Sequence, residues 1–136
     1  MVIEQSEEAL RRLLISSFPT IDVAIEGVPF DPQHDLYMAI QFVLNPPTDP
    51  TYGPYYYREN ISFQVFISDK LGVGTLAAKT QASLVRNVFH KGLTLQEGPY
   101  RLHILRTPQI SGAIQASDRL IVPVLIQVQV EVYDPL

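Results

Sequence analysis

Cysteine is absent from this 136-residue chain, which excludes a disulfide framework and any thiolate metal site. No cluster of lysine or arginine stands out, and the formal charge is −4. Both points argue against a dedicated nucleic-acid binder. A long apolar run is missing too. The most apolar segment, Leu120 to Val132, contains Pro123, Gln127, Gln129 and Glu131; it alternates where a membrane helix would run continuously apolar. The first eight residues, Met1 to Glu8, are acidic and unlike a signal or transit peptide. The expectation is a protein that works in the cytoplasm where it is made, or in something assembled there. There is no internal repeat. With 46% hydrophobic residues, residues 1–136 are expected to form a single domain large enough to bury a core.

Catalytic and ligand-binding patterns are equally scarce. The Gly72-x-Gly74 pair follows a strand-like run and opens a helix-like one, but a dinucleotide fingerprint needs a third glycine. A P-loop needs Gly-Lys-Ser/Thr where this chain has Gly74-Thr75-Leu76. A structural turn is the reading. His34, between Asp31 and Asp35, reads as a solvated turn; a metal contact would want a second histidine nearby. His90 is read as a cation at a helix C-terminus, and His103 as a strand residue without a serine or acid pattern to make it a base. Glu7 and Glu8 are helix-start acids. No catalytic, cofactor-binding or metal residue is assigned, no cofactor is expected, and the expectation is that the chain is not an enzyme.

The organising stretch is Arg58 to Phe89. Ile61, Phe63, Val65 and Ile67 alternate with Ser62, Gln64 and Ser68, a strand with one buried face; Phe66 suggests that the other face is partly covered. After the glycines, Ala78, Ala82, Val85 and Phe89 share one helical face, ending near His90-Lys91-Gly92. In front of this unit, Ser6 is read as the cap of a helix carrying Ala9, Leu10, Leu13 and Leu14 inside and Arg11 and Arg12 outside, stopped by Pro19. Ile21, Val23 and Ile25 suggest a short strand, and Leu36 to Leu44 a longer one.

Asn45 to Tyr57 is expected to be a long loop, because of its prolines. Its tyrosines Tyr52, Tyr55, Tyr56 and Tyr57, followed by Arg58, carry the residue types enriched at interfaces; folding of the loop over its own sheet edge accounts for them equally well. Tyr100 to Arg106 is a strand and Thr107 to Asp118 a polar connection. Leu120 to Tyr133 is a strand with Val122, Val124, Ile126, Val128, Val130 and Val132 on one face, and Gln127, Gln129, Glu131 and Tyr133 on the other. At about 3.3 Å per residue it is longer than usual, so one end is expected to project past its neighbours and offer backbone groups to an adjacent subunit. The order of elements predicts an α+β fold, a mainly antiparallel sheet packed on one face by two helices.

The arrangement resembles the tail terminator, or tail completion, proteins of long-tailed bacteriophages. The likeness runs from a helix with Leu10, Leu13 and Leu14 through Val28-Pro29-Phe30-Asp31-Pro32, Leu36-Tyr37-Met38-Ala39-Ile40 and a proline-rich loop. It continues through Arg58, the strand Ile61 to Ile67, Gly72-Val73-Gly74, a helix with Ala78, Ala82 and Phe89, and Val122-Pro123-Val124-Leu125-Ile126. The cluster Tyr55-Tyr56-Tyr57 departs from the pattern. The resemblance implies a structural virion protein. It would form a hexameric ring of copies of itself at the head-proximal end of the tail, assembled in the host cytoplasm. The ring would stop polymerisation of the tail tube protein and join the tube to the head connector, and DNA would pass through its lumen without being read. No membrane is involved. The interface would draw on Tyr52, Tyr55, Tyr56, Tyr57 and Arg58, with Gln127, Gln129, Glu131 and Tyr133 at the interface or in the lumen, where acidic groups would repel DNA. The alternatives are another phage neck or tail component serving head-tail joining, or an unrelated small binding module.

Overall fold

The computed structural model describes residues 2–30, 34–116 and 118–133. Ten elements follow in order: α1 (Val2–Ser17), β1 (Asp22–Ala24), β2 (Tyr37–Thr48), β3 (Tyr56–Lys70), α2 (Leu76–Val88), β4 (Thr94–Glu97), β5 (Tyr100–Ile104), β6 (Gln109–Ile110), β7 (Ile114–Ala116) and β8 (Arg119–Tyr133). The strands form one eight-stranded sheet in the order β1-β2-β3-β8-β5-β4, with β6 and β7 also paired to β8. The fold is therefore α+β. The pairings are antiparallel except one: β1 runs parallel to β2, Asp22 to Ala24 beside Tyr37 to Ala39.

Period-two alternation decides which face is covered. Met38 and Ile40 on β2, Ile61, Phe63, Val65 and Ile67 on β3, Leu102 and Ile104 on β5, and Val122 through Val132 at every second position on β8 are buried together. Against this face lie Leu10 and Leu14 of α1, Ala78, Ala82 and Val85 of α2, and Phe89 just beyond α2. The small Ala78 and Ala82 let α2 approach the sheet closely, and Gln81, also buried, donates to Met38 Sδ at 3.6 Å. Between β3 and α2 the chain turns at Gly72 and Gly74, with φ of 90° and 81°, a region that costs other residues energy.

Several expectations are corrected. Ser6 does not cap α1. The helix begins a turn earlier, and Ser6 is buried inside it with its hydroxyl donating to the Val2 carbonyl at 2.6 Å. His90 follows directly on Phe89, the C-cap residue of α2, with Nδ1 3.1 Å from the Lys91 carbonyl oxygen. Asn45 to Tyr57 is not one loop. β2 continues to Thr48, β3 starts at Tyr56, and only residues 49–55 lie between them. Pro46 and Pro47 are tolerated because β2 pairs with β1 only as far as Ala39. Beyond that it is an edge strand, and the register breaks between Asn45 and Thr48 in a bulge-like irregularity. β4, which forms a hairpin with β5, was not foreseen, and neither were β6 and β7 inside the supposed polar connection.

Nor does β8 project past its neighbours. β3 pairs with it along its whole length, from Tyr56 opposite Tyr133 to Lys70 opposite Arg119. Its other side is taken in turn by β7, β6 and β5, with the Leu105 amide donating to the Gln127 carbonyl at 3.2 Å in between. The strand is long because four partners share it. Among the described residues, unpaired strand backbone lies instead at the lateral edges of the sheet: the outer side of β1 with β2 beyond Ala39 at one end, and the outer side of β4 at the other.

Candidate interaction surface

The face of the sheet away from the helices carries Tyr56, Arg58, Gln127, Gln129, Glu131 and Tyr133, and the strand registers arrange its side chains in transverse rows. Beyond the pair Tyr56 and Tyr133 beside the β2–β3 loop, the first row to cross five strands runs Thr48, Arg58, Glu131, Arg101 and Gln96 over β2, β3, β8, β5 and β4. The next runs Asn45, Asn60, Gln129, His103 and Thr94, in the same strand order.

Glu131 is the hub. The Tyr56 hydroxyl donates to its Oε1 at 3.2 Å, and Arg58 Nε donates to the Tyr56 hydroxyl at 3.0 Å. His103 Nε2 stands 3.1 Å from Glu131 Oε2, and His103 Nδ1 3.2 Å from Thr94 Oγ1. An ionised carboxylate only accepts, so the proton belongs on Nε2, and in the neutral ring Nδ1 then accepts from Thr94. The His103 hydrogen bond, aided by that from Tyr56 and by the charges of His103 and Arg101, holds the Glu131 carboxyl below its ordinary range despite some burial. The Tyr56 hydroxyl likewise raises the Arg58 guanidinium, whose Cζ lies 5.7 Å from the Tyr56 ring centre.

This arrangement corrects the expected acidic surface. Glu131 sits between Arg58 and Arg101, so its row is not acidic. The adjoining row holds Asn45, Asn60, Gln129 and Thr94 beside His103, and the one after it Ser62 and Gln127. Asn45 donates to Ser62 Oγ at 2.9 Å, and Asn60 to the Pro46 carbonyl and Thr48 Oγ1, both at 2.9 Å. Gln127, Asn45, Asn60, Ser62 and Leu105 line a recess of about 320 Å³. Further from the loop the face turns apolar, with Phe66 between Ala39 and Pro123.

The residues picked from the sequence thus separate into three groups. Tyr56, Arg58 and Glu131 form one network, with Gln129 in the adjoining row and Gln127 in the recess. Tyr133 is opposite Tyr56 and exposed, and Tyr52 and Tyr55 are exposed in the 49–55 loop. Tyr57 belongs to the other face, where it packs against the core. Arg101, His103 and Thr94 were missed. In sequence His103 has no acidic neighbour, and its partner Glu131 lies 28 residues away. His34 Nδ1 is 3.2 Å from Asp22 Oδ2; Asp31 falls outside the described residues. Among the described residues no group of three or more histidine, aspartate or glutamate side chains could hold a metal ion, and no helix is long and apolar enough to cross a membrane.

A second feature lies on the helix side at the β4 edge. Ala9, Leu13 and Ser16 of α1 and Leu95 of β4 line a groove of about 240 Å³. At its rim Arg12 Nη1 donates to Glu97 Oε2 at 3.2 Å.

Comparison with known proteins agrees with this architecture. The family model described as phage tail terminator protein matches residues 6–127. One solved chain, carrying no functional description, superposes with a TM-score of 0.77 at 19% identity, over 96% of this chain and 96% of that one. A chain from the virion of a native gene transfer agent particle superposes with a TM-score of 0.62 at 16% identity, over 90% and 91%. At these identities the superpositions speak to fold alone. No curated protein matches by sequence.

Proposed function

The chain belongs to the phage tail terminator family, a family of structural tail proteins, and from that premise we propose that it forms the ring capping the head-proximal end of the tail tube. The observation that carries this reading is the pair of open sheet edges. β2 beyond Ala39 and β4 lie at opposite ends of one sheet and each has an unpaired side. Such edges accept a further strand. Two different edges meeting head to tail give a heterologous contact that closes into a ring when the rotation allows; a hexamer is the expected closure. The ring ends tube growth and offers its far side to the head connector.

In this reading the sheet face away from the helices lines the channel. Its amide rows, with Glu131 held between two arginines, offer DNA neither a continuous basic track nor a reading surface, so DNA passes without sequence-specific contact. The tyrosine-bearing 49–55 loop, with Tyr133 near its base, meets the neighbouring subunit or the tube.

The test is electron microscopy of tail tubes assembled with this protein. Rings of these subunits are expected at the head-proximal end, with tubes of defined length. Unlimited tube growth, or the protein only at the distal tip, overturns the assignment and favours a different neck or tail component. Replacing residues 49–55 by an Asn-Gly turn, which suits a two-residue hairpin, is expected to leave a folded protein that no longer caps tubes.

A further inference from the structure

The loop and the groove are complementary in chemistry and placed at one height on opposite sides of the molecule. Thr48, which leads into the 49–55 loop, and Gln96, which lines the α1–β4 groove, are the two ends of the row through Arg58, Glu131 and Arg101. A rotation about an axis along the strands keeps every residue at its own height. It therefore carries the loop on the β2 side of one copy toward the groove on the β4 side of the next.

We propose that the 49–55 loop of one copy seats Tyr52 in the α1–β4 groove of the adjacent copy. Tyr52 is fully exposed; an aromatic ring with one polar end is well suited to anchoring an interface. The groove offers Ala9, Leu13 and Leu95 to the ring and polar Ser16, Arg12 and Glu97 near the hydroxyl. Asp49 is the loop's one charged residue. Arg12 is its natural counterpart: its side chain is 58% exposed and lies among Glu97 and Glu8. The groove accepts the loop of a second copy because loop and groove are different surfaces of one chain, as a head-to-tail contact requires. The proposal rests on the ring reading and adds the receptor site to it.

The absence of cysteine makes a clean test. Tyr52→Cys copies are mixed with Ser16→Cys copies, assembled on tail tubes and treated with a short bis-maleimide. A cross-linked heterodimer is expected from the mixture, and a ladder of higher species from the double variant. Tyr52→Cys mixed with Leu71→Cys, at the turn on the opposite end of β3, is expected to give none. Tyr52→Ala is expected to lower ring occupancy at least tenfold and Tyr52→Phe to keep most of it, both with unchanged melting temperatures. Rings that form without the cross-link, or that fill equally with Tyr52→Ala, overturn this contact and leave the cap in place. Failure of the unmodified protein to form rings on tubes overturns both.

Discussion

Phe63 of β3 and Phe89, the C-cap residue of α2, meet edge to face with ring centres 5.6 Å apart. Phe63 also stacks on Phe42 of β2 at 4.8 Å, with the planes 10° apart. One side chain thus joins two strands to the end of the helix that covers them. Phe63 and Phe89 are both fully buried. Phe63→Ala would leave a cavity bounded by parts that cannot easily collapse, and is expected to cost about 3–5 kcal/mol. Denaturant unfolding measures it; a loss below about 1 kcal/mol would contradict this packing.

Val128 lies opposite Ile61 on one side and Ile104 on the other, all three buried. Val128→Asp places a carboxylate there without a partner. The expected loss is roughly 3–5 kcal/mol or more, enough to unfold a marginal domain. A variant melting within a degree or two of the parent would mean that this face is not the core.

Gly74 has φ of 81°, yet a Cβ built on it would meet nothing within 4 Å. Gly74→Ala should therefore cost only the left-handed backbone conformation, about 1 kcal/mol. Leu76→Ala nearby, at an exposed helix start, should change stability by less than about 0.5 kcal/mol. Equal melting temperatures for Gly74→Ala and the parent would show that the turn can relax.

Glu131 titrates below its ordinary range because His103 and Tyr56 hydrogen-bond its charged form. A lowered carboxyl contributes stability above the unfolded-state value, about 4.3, and loses it as pH falls through the folded-state value. Glu131→Gln is therefore expected to melt below the parent at pH 7, with the gap narrowing under pH 4. A gap that widened with acid would contradict the assignment.

The balance between local and long-range information explains what could be read from the chain. Period-two alternation on Ile61 to Ile67 and Val122 to Val132 identified the buried faces correctly, because alternation is a local consequence of the pleat. The helical stripe Ala78, Ala82, Val85 and Phe89 was legible for the same reason, and so was the Gly72–Gly74 turn. The errors fell where the partner strand decides the outcome. Pro46 and Pro47 look like loop residues, yet they sit in a strand because its second side has no partner to bond. Gln109–Ile110 and Ile114–Ala116 are too short to show a period, and become strands because β8 offers its free side there.

The candidate surface divides in the same way. Composition pointed to Tyr56 and Arg58, and the polar face of an unusually long strand to Glu131. That these three meet, that His103 joins them, and that Tyr57 turns inward depend on the register of β3 and β5 against β8. The sequence by itself determined the two helices, the central runs of β2, β3 and β8, the buried face and the absence of thiolate chemistry, all of which follow from residue identity and local periodicity. Only the tertiary structure decided which strands β8 binds, where the open edges lie, and that Thr48 and Gln96 end one row, because register sums hydrogen bonds and packing over residues far apart in the chain.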